Sequence, residues 1–107
     1  MKNLLKLSLL VLALALLLPN FALAADSGAQ LFGSKCAMCH GKEGAANTPM
    51  AKNMKLKPLS SPEVQKASDA ELKTTIEKGK GKMPAYGSKL SSTQIDELVK
   101  YIRSLKK

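Results

Sequence analysis

The strongest periodicity lies at the C-terminal end of the chain. Ile95, Leu98, Val99, Ile102 and Leu105 recur every three or four residues, which puts one apolar stripe on a helix whose opposite face is charged. Ser91-Ser92-Thr93-Gln94 precedes it as a capping box, a serine followed three residues later by a glutamine. The same order recurs in Ser68-Asp69-Ala70-Glu71, with Leu72 and Ile76 on the apolar side and Gly79 as the stop. Ser61-Pro62-Glu63 supplies a cap and a first-turn proline for a short helix through about Ala67. Upstream, Asp26 or Ser27 caps a first helix that carries Leu31 and Phe32 on its apolar side. The chain has almost no period-2 alternation, so no sheet is expected. From Gly41 to Ser60 no period is visible either, and a loop is expected, of a length that normally implies function or contact with a cofactor.

The beginning of the chain follows a different pattern. Met1 to Lys6 holds two lysines and no acid, Leu7 to Leu18 is almost wholly apolar, and Pro19-Asn20 interrupts the run before Ala22-Leu23-Ala24. This is the order of a secretory signal peptide, with cleavage expected after Ala24. A membrane anchor would need roughly 20 apolar residues and has no use for a small-x-small site. Residues 25–107 then form one small domain of 83 residues, with 15 basic and 8 acidic side chains and a net charge of +7. So short a chain, with Phe32, Tyr86 and Tyr101 as its aromatics, needs a staple or a cofactor to complete its core.

Candidate chemistry is concentrated in Cys36-Ala37-Met38-Cys39-His40, which holds both cysteines of the domain and its single histidine. A disulfide across so short a loop would constrain the unfolded chain little. A thioredoxin-like pair calls for strands alternating with helices, and zinc for more ligands than two thiolates and one imidazole. Covalent haem suits the spacing. Two thiols separated by two residues can each add across one vinyl group of a single porphyrin, and the next residue can bind its iron, so C-x-x-C-H reads as c-type haem attachment. Export strengthens this, because haem of this type is attached outside the cytoplasm in bacteria. Cys36 and Cys39 are the expected thioether residues and His40 the proximal ligand, for one haem c.

The sixth position of the iron separates electron transfer from binding of small molecules. With no second histidine, the candidates are Met38, Met50, Met54 and Met83. Met38 sits between the anchoring cysteines, on a span too short to reach the opposite face. Met83 lies in GKGKMPAYG, a stretch whose glycines and proline describe a loop that can hold a side chain toward a cofactor. Met83 is the expected distal ligand; the alternative is that it fills a gap in the core, as methionine often does.

These parts together resemble a small class I, monohaem c-type cytochrome of the bacterial periplasm. The order of helix, C-x-x-C-H, long loop, short helices, methionine loop and terminal helix matches across nearly all of residues 25–107. In that family a glycine and an aromatic four apart in the first helix pack where it crosses the last, against a leucine and an aromatic three apart. Gly28 and Phe32, with Leu98 and Tyr101, fit those positions. The resemblance implies an all-α, cytochrome c-like fold, with about four short helices and long loops wrapped round one covalent haem and the terminal helices crossing. It also implies that the backbone carbonyl of Pro49 accepts a hydrogen bond from the second nitrogen of His40, orienting the ring. The chain has Ala45-Ala46-Asn47 where many relatives carry further glycine, which bears on the path of this loop.

The function so implied is that of a soluble periplasmic one-electron carrier between a respiratory donor complex and a terminal oxidase or reductase, and not an enzyme. Its partners would be redox proteins, with membranes met only through redox complexes and the carrier itself a monomer. Lys35 and Lys42 flank the motif and Lys78, Lys80 and Lys82 precede Met83, a basic rim suited to acidic patches on a partner. Nucleic acid is disfavoured by export and by the scarcity of aromatics. Two alternatives stand beside the carrier: a haem-based gas sensor or weak peroxidase in which Met83 is displaced, and a haem subunit fixed in a larger redox complex.

Overall fold

The computed structural model describes residues 27–107, so the expected signal segment, its cleavage site and the cap expected at Asp26 lie outside the described residues. Six helices follow in order: α1 (Gly28–Lys35), α2 (Ala37–His40), α3 (Pro49–Asn53), α4 (Pro62–Lys66), α5 (Asp69–Lys78) and α6 (Ser92–Ser104). There is no strand among the described residues; an isolated antiparallel bridge pairs Lys80 with Met83.

Local chemistry accounts for where the longer helices start. Ser27, Ser68 and Ser91 each accept the backbone N–H three residues on, and Gln30, Glu71 and Gln94 return a side chain to the serine's own N–H. Each reciprocal pair satisfies two of the N–H groups that a helix start leaves without partners. Gly79, at φ 74°, ends α5 in a backbone conformation that side chains disfavour.

Two expectations need correction. The stretch from Gly41 to Ser60 is not loop throughout, because Thr48 caps α3 by accepting the Ala51 N–H at 3.0 Å, with Pro49 at the first helical position. That is the arrangement already recognisable at Ser61-Pro62, here on a helix too short to show a period. The count of about four helices rises accordingly, by α3 and by the single turn α2.

The core is one cluster: Leu31 and Phe32 from α1, Leu59 and Leu90 from loops, Ile76 from α5, and Ile95, Leu98, Val99 and Ile102 from α6. The main helix contacts are those of α6 with α1 and with α5. At the α1–α6 crossing Gly28 faces the backbone of Glu97 and the Cβ of Tyr101, while the Phe32 and Tyr101 rings meet with centroids 5.0 Å apart. A glycine is needed there because the two backbones approach too closely for a Cβ.

One polar clamp fixes the remaining short helix. Arg103 of α6 donates to the Gln65 and Ala67 carbonyls and to the Asp69 carboxylate, while Gln65 donates to the carbonyls of Leu59 and Ile102. The guanidinium fork reaches several acceptors at once, so α4 and the start of α5 are hung on α6. That leaves their other side to form a wall of the candidate site.

Candidate haem site

The chain keeps turning past the end of α1. The Cys36 N–H donates to the Phe32 carbonyl at 2.9 Å, the Cys36 carbonyl accepts from Cys39 and His40 at 3.2 and 3.0 Å, and the Gly41 N–H donates to the Ala37 carbonyl at 2.8 Å. Residues three and four apart on such a turn share a face, which brings Cys36, Cys39 and His40 to one side of the segment. Met38, between them, points away and is 82% exposed. Thr48 secures the turn from outside, its hydroxyl donating to the Cys39 carbonyl at 2.7 Å while accepting from α3.

That face opens on a cavity of two adjoining lobes, of about 550 and 430 Å³. Cys39 lines one lobe, Cys36 the other, and His40 both. Leu59, Val64, Thr75, Lys80 and Met83 are likewise shared walls. Of the methionines proposed for the sixth position, Met50 is 46% exposed on α3 and lines neither lobe, Met54 lines one, and Met83 lines both. The sequence-based candidates Cys36, Cys39, His40 and Met83 therefore meet at one cavity.

The electrostatics suit a bound group with an apolar body. Burial pushes the Cys36 thiol up to about 11, with Cys39 adding to the shift, so the thiol stays protonated and uncharged at neutral pH. Neither cysteine forms a disulfide. Burial also lowers the pKa of His40 and favours the neutral imidazole, the form that ligates metals. Its Nδ1 is buried without a hydrogen-bond partner, and the expected bond to the Pro49 carbonyl is not formed. Buried polar atoms are rarely left so, which singles out His40 as a residue with an unmet polar demand at the site. Two thiols, a neutral imidazole and a thioether around a largely apolar cavity fit a covalently held haem.

Comparison with known proteins agrees. Residues 23–102 match the family model described as cytochrome c oxidase, cbb3-type, subunit III. The chain is a small monohaem c-type cytochrome of class I. It is 34% identical to a cytochrome c6 of Synechococcus sp. over 94% of this chain and 87% of that one, and 35% identical to a cytochrome c6 of Picosynechococcus sp. over 95% and 92%. It is also 35% identical to the cbb3-type cytochrome c oxidase subunit FixP of Azorhizobium caulinodans, over 81% of this chain and 29% of FixP. Among solved structures it is similar to the KustC0563 c-type cytochrome, with a TM-score of 0.68 at 28% identity over 76% of this chain and 99% of that one. Membership in this family makes the protein an electron carrier with one covalent haem c.

Several walls of the cytochrome's cavity were not expected from sequence. Lys55, Leu56 and Lys57 line one lobe, Leu72 and Ile76 the other, and Val64 both. The apolar residues at helical spacing in α5 signalled a core face without showing that part of it borders a cofactor. Lys55, at φ 54°, had no local signal at all. Among the described residues no helix is long and apolar enough to cross a membrane.

Proposed function

We propose that this cytochrome is a soluble one-electron carrier of the periplasm, exported by residues 1–24 and acting as a monomer, without catalytic activity of its own. The observation that carries the reading is the cavity on which Cys36, Cys39, His40 and Met83 converge. In it Cys36 and Cys39 would hold the haem through thioethers, with His40 and Met83 as the residues that would bind its iron. When bound, the haem supplies an iron that takes up and gives back one electron. His40 and Met83 would keep that iron closed to small molecules, and the thioether of Met83 would favour the reduced state relative to a second imidazole. Apolar walls from Leu59, Val64, Leu72 and Ile76 limit water around it, so little has to rearrange when the charge changes. For the Nδ1 proton of His40, the carbonyl of Pro49 remains the proposed acceptor.

Lys35, Lys42, Lys78, Lys80 and Lys82 are exposed on the segments next to the cavity. They are proposed to steer the cytochrome to acidic patches on its donor and acceptor, between a respiratory complex and a terminal oxidase or reductase. The association rate would then fall as ionic strength rises; a rate indifferent to salt would exclude it. No feature of the site favours the gas sensor, the weak peroxidase or the fixed subunit.

The deciding experiment is the visible spectrum of the dithionite-reduced protein with and without carbon monoxide, on the wild type and on Met83→Ala and Met54→Ala. The carrier gives a sharp c-type spectrum that carbon monoxide leaves unchanged in the wild type and Met54→Ala and shifts promptly in Met83→Ala. A prompt shift in the wild type would replace the carrier with the gas-binding reading, and a shift confined to Met54→Ala would move the distal ligand.

A further inference from the structure

The loop that presents Met83 is anchored very unevenly. Two bonds pin it to the end of α5: the Tyr86 N–H donates to the Ile76 carbonyl at 2.9 Å and the Gly87 N–H to the Glu77 carbonyl at 3.0 Å. The Lys80–Met83 bridge, with bonds of 3.2 and 2.9 Å, closes the turn on itself. The opposite wall of the cavity, with Cys36, Cys39 and His40, is tied to the loop by one hydrogen bond among the described residues. In it the Tyr86 phenol donates to the Lys35 carbonyl at 3.1 Å, across 51 positions of sequence.

Lys35 is the last residue of α1, and the turn that follows bypasses its carbonyl, because Cys39 donates to Cys36 instead. A last-turn carbonyl of this kind needs a donor from outside the helix, and the Tyr86 hydroxyl supplies it. The Tyr86 backbone is fixed from the other side as well, its carbonyl accepting from Lys89 and Leu90 at 3.0 and 2.9 Å, and the Lys89 ammonium lies 5.6 Å from its ring centroid. The phenol therefore spans from a rigid turn to the residue immediately before Cys36.

We propose that Tyr86 is a positioning residue whose bond to Lys35 latches the Met83 loop against the haem-attachment segment, so that its strength sets how often the sixth position opens to an outside ligand. The proposal rests on Met83 as distal ligand. With α5 fixed to α6, the bonds to Ile76 and Glu77 form the hinge of the loop; Tyr86 sits at that hinge through its own N–H, and its phenol ties it across the cavity to Lys35. Breaking the latch leaves the hinge, the bridge and the cavity walls in place. A neutral hydrogen bond of ordinary net strength corresponds to about a fivefold change in the closed-to-open ratio.

The test compares the haem-loaded wild type with Tyr86→Phe, Met83→Ala and Ser91→Ala, reading the rate at which carbon monoxide binds the reduced protein. Phenylalanine keeps the ring in its half-buried place and removes only the hydroxyl. Ser91→Ala removes a cap bond of α6, away from the loop, and reports what a loss of stability does by itself. The expected result is slow binding in the wild type and Ser91→Ala, about fivefold faster binding in Tyr86→Phe, and prompt binding in Met83→Ala. Equal rates in Tyr86→Phe and the wild type, or an equal rise in Tyr86→Phe and Ser91→Ala, would overturn the latch while leaving Met83 as ligand. A wild type as fast as Met83→Ala would overturn the ligand assignment and the latch with it.

Discussion

Replacing Gly28 by alanine tests the helix crossing on which the cavity is built. A Cβ at this position would lie against the Glu97 carbonyl oxygen, 2.8 Å from the Glu97 carbonyl carbon and 2.9 Å from the Tyr101 Cβ. The obstructing atoms are mainly backbone in the middle of α6, so no side chain can turn aside and the helices themselves must separate. Overpacking of this kind costs about 1–3 kcal/mol, and rigid obstruction argues for the upper half of that range. Alanine's better helix propensity, at most about 1 kcal/mol over glycine, offsets part of it. Gly28 is the first residue of α1, where that gain is smallest. A net loss of about 2 kcal/mol would lower the midpoint of a domain this size by about 8–16 °C. Thermal unfolding of the haem-loaded protein, followed by far-ultraviolet circular dichroism, measures it directly. Because the haem is covalent in both forms, cofactor loss does not confound the comparison. An unchanged or raised midpoint would mean that the crossing is loose enough to take a methyl group, and the close approach of α1 to α6 would have to be abandoned.

Other perturbations separate what is structural from what is incidental. Arg103→Ala should destabilise by about 2–3 kcal/mol in denaturant titrations, because it unpairs the Gln65 and Ala67 carbonyls together. Asp69→Asn, which alters only the exposed end of that clamp, should cost under about 1 kcal/mol. Ser61 carries a buried hydroxyl with no partner, so Ser61→Ala should be neutral or slightly stabilising in the same titration. Phe32→Ala should cost about 3–5 kcal/mol and lower the yield of haem-loaded protein, since this ring is buried at the helix crossing and lines the cavity beside Cys36.

What could be read from the chain was whatever rests on neighbours in sequence. The boxes at Ser68 and Ser91, the stripe from Ile95 to Ile102 and the attachment pentapeptide are all complete within a few residues, and the described structure holds each in place. Leu105, counted with that stripe, falls just past the end of α6 and packs on the rim of the core. The helix at Pro49 was equally local, with the same cap and proline as Ser61-Pro62, yet five residues carry too little periodicity to outweigh the glycines and alanines before it. The polar ties had no such signature. Arg103 reaches back 36 positions to Ala67 and Tyr86 reaches 51 to Lys35, and each ends on a backbone carbonyl, an acceptor that every residue offers. A sequence pattern cannot name such a partner, because nothing about the side chain of Ala67 or Lys35 is used.

The same distinction explains how the site divides its tasks. The proposed attachment and proximal ligation depend on one helical turn, so they are encoded in five consecutive residues. Distal ligation by Met83, as proposed, depends on where a loop comes to rest after two helices and a clamp have been assembled. Cys36, Cys39 and His40 share a segment anchored by α1, whereas among the described residues the Met83 loop is hydrogen-bonded to α5 at Ile76 and Glu77 and to the far wall through Tyr86. A disturbance of the α1–α6 crossing moves the first group as a unit. A disturbance of α5 or of the phenol changes its distance from Met83. If Met83 closes the iron as proposed, the difference between a carrier and a gas-binding protein is set less by the motif that identifies the family than by tertiary contacts that no motif contains.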